Sequence, residues 1–267
     1  MKGSTLSSSR KIWISCMKAL MYLCSGLTGA LVLFLMGYVL IKGIPNISWE
    51  LLSTSPSYLS DRIGILPDLM NTLYIVLATI VIVLPLGVGA AIYLTEYAKN
   101  KKLVAVMEYA AETLSGIPSI IYGLVGMLVL VPGIRKLFHV PDGASLLAAI
   151  IVLAIMILPS IIKVSVTALE AVPKEYEDAS LALGATPVET YLRVSVPAAK
   201  SGIAAAVVLG VGRAIGEAMA VMMVSGNACN MPSLFESVRF LTTAVASEMS
   251  YSSGLQRQAL FSIALVL

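Results

Sequence analysis

The sequence predicts an all-α integral membrane protein. Of its 267 residues, 58% are hydrophobic and only 12% are charged, and the mean hydropathy is +0.91. Soluble domains carry about 25% charged residues, so the composition excludes that class. Long apolar stretches recur along the chain, and a helix needs about 20 such residues to span a bilayer. We therefore expect five complete transmembrane helices and a partial sixth.

The first third of the chain predicts two spans and a short connection. Residues 1–18 are polar, with four basic residues and no acid, and we expect them to form a cytoplasmic N-terminus. Residues 19–65 contain the first span, at 19–41, and an external loop. The first span is too long for a signal-peptide core, so we expect it to be retained. The second span follows at 66–94.

The third span is interrupted. An amphipathic part with Glu108 and Glu112 leads to the sequence Ser-Gly-Ile-Pro-Ser at 115–119, and the chain is then apolar to Val131. Broken helices at membrane depth are tolerated only against protein or a water-lined cavity. Ser115 and Ser119 are therefore candidates for the wall of a transport pathway. A kink that serves only packing is an equally consistent interpretation.

The rest of the chain predicts alternating loops and spans. The predicted elements are an external loop at 132–143, a span at 144–162, an inner loop at 163–200, a span at 202–225 and an outer stretch at 226–256. From Leu260 the chain is apolar again and stops at Leu267, which we interpret as a C-terminally truncated sixth helix. The inner segments carry eleven Lys and Arg residues and the outer loops six, which supports this orientation.

Residues 172–197 are the longest polar, charge-bearing segment, and they predict two short helices with a hinge. Residues 174–183 are rich in Ala, Leu, Glu and Lys, which favour helix. Gly184 follows at the position of a left-handed helix stop. The chain then restarts with a capping box that has proline at its first helical position: Thr186, Pro187 and Glu189. Pro197 is expected to close the second helix.

The fifth span contains two charges, Arg213 and Glu217. A charge near the bilayer centre costs about 2.5–3.5 kcal/mol or more, so such residues usually face a cavity or a partner and mark a transport path. Their spacing of four predicts that both lie on one helix face. The alternative is a structural ion pair at a subunit interface. The spacing of Gly212 and Gly216 predicts close helix packing.

Several chemistries lack the residues they need. A single histidine and three cysteines without metal spacing give no metal cluster or Ser/His/Asp triad, which argues against an integral-membrane enzyme. The net charge of +3 gives no indication of nucleic acid binding. The sequence contains no phosphate-binding G-x-x-x-x-G-K-[ST] loop. We therefore expect no cofactor on this chain, and any ATP must be bound by another subunit.

The polar segment resembles the EAA loop of bacterial ABC-importer permeases, whose pattern is E-A-A-x3-G-x9-I-x-L-P. The matching residues are Asp178, Ala179, Ser180, Gly184, Val194, Val196 and Pro197. The stretches 85–98, 115–123, 154–161, 211–227 and 233–249 are similar to the phosphate-importer permeases, and to their PstC branch more than to PstA. The resemblance implies a MetI-like ABC-permease fold over residues 66–267. It also implies that 172–197 form a coupling helix seated in an ATPase, through Glu177, Asp178, Ala179, Ser180, Gly184, Ala185, Thr186 and Pro187.

The same resemblance implies a mechanism and a set of partners. A PstS-like phosphate-binding protein would deliver phosphate to a heterodimer of this chain with a PstA-like permease in the bacterial inner membrane. Two PstB-like ATPases would use ATP to drive alternating access. Arg213 would neutralise one phosphate charge, and Glu217 would hold that arginine or accept from a protonated phosphate oxygen. The alternatives are a permease for sulfate or molybdate, and a truncated membrane subunit that does not transport.

Overall fold

The computed structural model describes residues 8–56, 63–98 and 100–267, and their regular structure is helical apart from one isolated bridge between Gly226 and Val238. The first seven residues of the predicted N-terminal segment, residues 57–62 of the first external loop, and Lys99 of the predicted inner loop lie outside the described residues. The helices are α1 Ser8–Gly43, α2 Trp49–Ser53, α3 Leu66–Ile92, α4 Lys101–Gly116, α5 Ser119–Val125, α6 Val131–Phe138, α7 Leu146–Glu170, α8 Lys174–Ala182, α9 Pro187–Thr190, α10 Val196–Ala198, α11 Lys200–Gly216, α12 Met219–Val224, α13 Leu241–Glu248 and α14 Gly254–Val266.

Four helical stretches in the described chain are long and apolar enough to cross a membrane. They are Ser9–Asn46, Leu66–Tyr97, Ser119–Phe138 and Leu146–Glu170. A fifth is obtained if Pro187–Ala198 and Lys200–Gly216, which are bent by 68°, form one span. The all-helical membrane architecture is therefore confirmed. The count of five complete spans and a partial sixth stays a prediction.

Helix α1 is longer than the predicted span, because its helical structure begins at Ser8 and includes polar residues. Its apolar side chains are exposed along the length of the helix, as expected for a surface that faces lipid. Among the residues that the structure describes, only the C-terminal end of α1 packs closely against other helices. There the Ser262 hydroxyl of α14 donates to the Gly43 carbonyl over 2.8 Å, and the rings of Tyr38 and Phe261 meet edge to face.

The core surrounds α7, whose residues Leu153, Met156 and Ile157 are fully buried. Helices α3 and α11 pack against α7 and against each other. A Cβ atom added at Gly87 of α3 or Gly210 of α11 would lie 2.7 or 3.0 Å from the side chain of Ile161. Both glycines therefore let their helices approach α7, as small residues do at helix contacts in membranes.

Two predicted boundaries are wrong. The third span continues to Phe138, and Pro132 lies inside its helix instead of opening a loop. Pro132 is tolerated because it stands in the first turn of α6, directly after a π-helical turn at Gly126–Leu130, where a backbone donor is not required. The fourth span continues to Glu170, eight residues into the predicted inner loop.

Candidate functional site

The interruption predicted in the third span is present. Helix α4 ends at Gly116 and α5 begins at Ser119, with Ile117 and Pro118 in extended conformation between them. The Tyr122 hydroxyl donates to the Leu114 carbonyl over 2.7 Å and so bridges the break. The Leu114 carbonyl also accepts from the Ile117 N–H over 3.2 Å, so two contacts hold the last turn of α4 at the break. Ser115 and Ser119 are half-buried on either side of the break.

The fifth span is also broken, which the sequence analysis did not predict. Helix α11 ends at Gly216, Glu217 is extended, and α12 begins at Met219. The expectation that Arg213 and Glu217 share one helix face is therefore wrong. The Glu217 carboxylate accepts from the Ala220 N–H over 2.9 Å, at the start of α12. Its backbone carbonyl accepts from the Thr242 hydroxyl over 2.9 Å, so both ends of the break are satisfied.

The helices that follow the two breaks, α5 and α12, pack against each other. A Cβ atom at Gly123 would lie 2.9 Å from the backbone of Ala220, and one at Gly126 would lie 2.8 Å from Val224. Close glycine packing is thus found here. It is not found at Gly212 or Gly216, where a Cβ atom would meet none of the described residues within 4 Å, so the predicted close packing of these two glycines is wrong within the described part of this chain.

Arg213 lies in the last turn of α11, immediately before the second break. Its side chain is half-buried, and Nη1 donates to the Ser160 hydroxyl of α7 over 3.2 Å. Across the described residues, no carboxylate lies within 4.0 Å of the Arg213 guanidinium, so Arg213 and Glu217 form no ion pair there. The alternative of a structural ion pair at a subunit interface stays a prediction. A guanidinium stays charged at any physiological pH and forks around oxyanions. The arrangement can therefore bind an anion.

The polar segment has the helix–turn–helix structure that the sequence predicts. Helix α8 is followed by Gly184 at φ = +86°, and the capping box between Thr186 and Glu189 is complete. The backbone N–H and the hydroxyl of Thr186 lower the pKa of Glu189 below its ordinary value. The second helix continues through a π-helical turn to Ala198, so Pro197 lies one residue before its end.

The residues predicted to contact an ATPase divide between two faces of this segment. Glu177 accepts from the Ser195 hydroxyl over 2.9 Å, and the hydroxyls of Ser180 and Thr190 are 2.9 Å apart. These contacts hold α8 to the second helix. The exposed residues of the predicted set are Asp178, Ala179, Gly184, Thr186 and Pro187, and Ala185 is half-buried. Large apolar side chains are exposed beside them: Tyr176, Leu181, Leu183, Val188 and Leu192.

A cavity of about 240 Å³ lies between α4 and α7 and has an acidic lining. Its charged residues include Glu108, Glu112, Glu170 and Lys163, and the Lys163 ammonium pairs with Glu112 over 2.9 Å. Because carboxylates outnumber the single lysine, the cavity disfavours an anion. Among the described residues, no group of three or more His, Cys, Asp and Glu side chains could hold a metal ion.

Sequence reasoning missed a cluster of charges around Arg239. This arginine pairs with Asp68 at the start of α3 and with Glu248 at the end of α13. Asp68 stands in the first turn of an apolar span, and this was the available signal. Nothing in the sequence, however, pairs Asp68 with Arg239, which lies 171 positions away. Ser160, Tyr122 and Thr242, which contact the two breaks or Arg213, were also missed.

Comparisons with known proteins agree with this architecture. The family described as "Binding-protein-dependent transport system inner membrane component" matches residues 83–266. The probable ABC transporter permease protein YqgH of Bacillus subtilis is 39% identical, over 85% of this chain and 72% of that protein. The phosphate transport system permease protein PstC of Haemophilus influenzae is 34% identical over 98% of this chain and 92% of that protein, and PstC of Mesorhizobium japonicum is 35% identical over 89% and 81%.

A solved structure supports the fold independently. A chain of the MetNI methionine ABC transporter in an inward-facing conformation superposes with a TM-score of 0.55, at 22% identity, over 76% of this chain and 87% of that one. At this identity the likeness shows the fold alone. Together with the family match and the relatives, it shows that the chain belongs to the binding-protein-dependent transport system inner membrane components, the multi-pass membrane permease subunits of ABC transporters.

Proposed function

We propose that this chain is a permease subunit of an ATP-driven phosphate importer and forms half of its translocation pathway. The PstC relatives support phosphate as the substrate, because they match at 34–36% identity over 76–98% of this chain. The observation that carries the proposal is the position of Arg213. It combines a fixed positive charge with a break in the fifth span and a hydroxyl from a neighbouring span.

Arg213 is suited to meet an oxyanion in transit. Phosphate near neutral pH is a mixture of mono- and dianion, since the second pKa of such groups is about 6–7. The guanidinium neutralises one of those charges, and the Ser160 hydroxyl is placed to share the anion when it binds. One arginine and one hydroxyl make a weak site, which suits a pathway that must also release its ion.

Glu217 has a different role from the one the sequence suggested. Its carboxylate is engaged by the Ala220 N–H, so we assign it to holding the break open and not to binding phosphate or Arg213. Ser115 and Ser119 remain proposed wall residues of the pathway. Their support is their half-buried position at the other break, on the side of the molecule where α5 packs against α12.

We place residues 172–197 on the cytoplasmic side, together with the N-terminus, as the docking site for a separate PstB-like ATPase. Exposed apolar side chains on this segment, with Leu183 at 90% exposure, support a protein partner, because such residues usually mark an interface. The proposed importer contains a PstA-like second permease, two PstB-like ATPases that use ATP, and a PstS-like phosphate-binding protein, in the bacterial inner membrane.

The test is phosphate uptake by the complex reconstituted in liposomes with Arg213→Ala. Uptake should fall at least ~10-fold, because a charge-assisted contact contributes about 1.5–3 kcal/mol. Arg257→Ala is the control, since Arg257 is an exposed arginine of α14 away from the breaks. Arg213→Lys should retain part of the activity. If Arg213→Ala assembles with its partners and takes up phosphate normally, the proposed role is wrong.

A further inference from the structure

Arg239 anchors the segment 225–248 to the start of the second span. Its Nε donates to both carboxylate oxygens of Asp68, with 3.0 Å to Oδ2, and its Nη2 donates to Oδ2 over 2.8 Å. Its Nη1 pairs with Glu248. The side chain of Arg239 is only 11% exposed, and that of Asp68 is 1% exposed. Because Arg239 precedes α13 and Glu248 ends it, one guanidinium ties both ends of α13 to the first turn of α3.

Backbone contacts add to this anchor. The Asn71 amide donates to the carbonyls of Asn230 and Arg239, over 2.8 and 3.1 Å. The Leu241 N–H donates to the Thr72 hydroxyl over 3.0 Å. Breaking a buried ion pair leaves an uncompensated charge, which is strongly unfavourable. The segment 225–248 and α3 are therefore expected to move as one body during transport.

Thr242 connects this body to the broken span. It lies three residues after Arg239, in the first turn of α13, and its hydroxyl donates to the Glu217 carbonyl over 2.9 Å. That carbonyl lies one turn after Arg213. Contacts therefore lead from Asp68 to Arg239, three residues of backbone lead from there to Thr242, and Thr242 contacts the break.

We infer that Arg239 and Thr242 are positioning residues for transport, which fix the segment 225–248 to α3 and thereby place the fifth-span break and Arg213. The inference rests on the proposed function. Neither residue is expected to touch the transported anion. They act on the geometry of the end of α11, where the anion meets Arg213.

The first test compares two replacements of Thr242 in the reconstituted complex. Thr242→Val keeps the shape and loses the hydroxyl, so the KM for phosphate should rise about five-fold, as expected for one hydrogen bond, with the maximal rate near wild type. Thr242→Ser keeps the hydroxyl and should behave like wild type. If Thr242 acted only through packing, Thr242→Ser would raise the KM more than Thr242→Val does, because Thr242 is buried and serine removes a methyl group.

Thr28→Val is the matched control, since among the described residues the Thr28 hydroxyl bonds only within α1, to the Cys24 carbonyl. A Thr242→Val complex with unchanged KM would overturn the inference, and so would a Thr242→Ser complex as impaired as Thr242→Val. If the wild-type complex takes up no phosphate at all, the proposed function fails, and the anchor is then tested by the second measurement.

The second measurement does not depend on phosphate transport. Cys229 is half-buried and precedes Asn230, whose carbonyl is held by Asn71. In a Cys16→Ala, Cys24→Ala background, a maleimide should react with Cys229 several-fold faster after Arg239→Gln than before it. With Arg239 intact, the rate should be the same with and without ATP, because the anchored segment moves with α3. An unchanged rate in Arg239→Gln, or an ATP-dependent rate with the anchor intact, would overturn the inference.

Discussion

Glu177 offers a sharp test of how the segment 172–197 transmits force. The replacement Glu177→Ala removes the acceptor for the Ser195 hydroxyl, and Ser195 is only 1% exposed. A buried hydroxyl without a partner costs about 1–3 kcal/mol, so the contact between α8 and the second helix should open readily. We therefore expect α8 to keep its exposed docking surface while its push is no longer transmitted to the helix that leads into α11.

The assay measures ATP hydrolysed per phosphate transported in the reconstituted complex. For Glu177→Ala this ratio should rise several-fold while the ATPase subunits still co-purify. The ratio for Glu177→Gln should lie between those of wild type and Glu177→Ala, because the glutamine amide oxygen can still accept from the Ser195 hydroxyl. Asp178→Ala is the control, since its side chain is exposed and makes no hydrogen bond among the described residues, and it should weaken ATPase binding instead. The reasoning is refuted if the ratio for Glu177→Ala stays normal, or if Glu177→Ala loses ATPase binding.

Three further predictions concern single contacts. Gly184→Ala should lower the free energy of unfolding by about 1–2 kcal/mol through backbone strain, because φ is +86° and a Cβ atom would meet none of the described residues within 4 Å. Gly184→Asn should lower it less, and equal thermal stabilities of the two variants in detergent would contradict this. Thr186 lowers the pKa of Glu189, so the stabilisation by that carboxylate is present above its unfolded-state pKa and is lost as pH falls through the lower folded-state pKa. Exchange of the Thr186 amide, which donates to the Glu189 carboxylate, should therefore differ between wild type and Glu189→Gln at about pH 7 and converge at about pH 3, and a difference that persists would be contrary evidence. Tyr122→Phe removes the hydroxyl that bridges the first break and should lower the phosphate uptake rate about five-fold with normal ATPase binding, whereas unchanged uptake would show that the bridge is dispensable.

Local signals in the sequence predicted the parts of the fold that local chemistry decides. Pro118 marks the first break, because the residue before a proline leaves the helical region. Gly184 predicts the hinge of the polar segment, and the Thr186 capping box predicts where its second helix begins. Both positions agree with the structure to within one residue. The charge of Arg213 inside an apolar span made it a candidate pathway residue, and that role stays a prediction.

The second break was not predictable, because distant residues make it. The sequence after Gly216 favours a continuous helix, yet Glu217 is held extended by its own carboxylate and by Thr242. The same holds for the pairing of Asp68 with Arg239, which joins residues far apart in the chain. Sequence spacing therefore placed Glu217 beside Arg213, whereas tertiary hydrogen bonds separate them.

The most direct test of the central claim is uptake of labelled phosphate by the wild-type complex, with sulfate and molybdate as competitors. The complex combines this chain with its PstA-, PstB- and PstS-like partners in liposomes loaded with ATP. The account predicts ATP-dependent phosphate uptake that a large excess of sulfate or molybdate leaves unchanged and that Arg213→Ala lowers at least ~10-fold. Uptake of sulfate or molybdate in preference to phosphate, or no ATP-dependent anion uptake by an assembled complex, would contradict it.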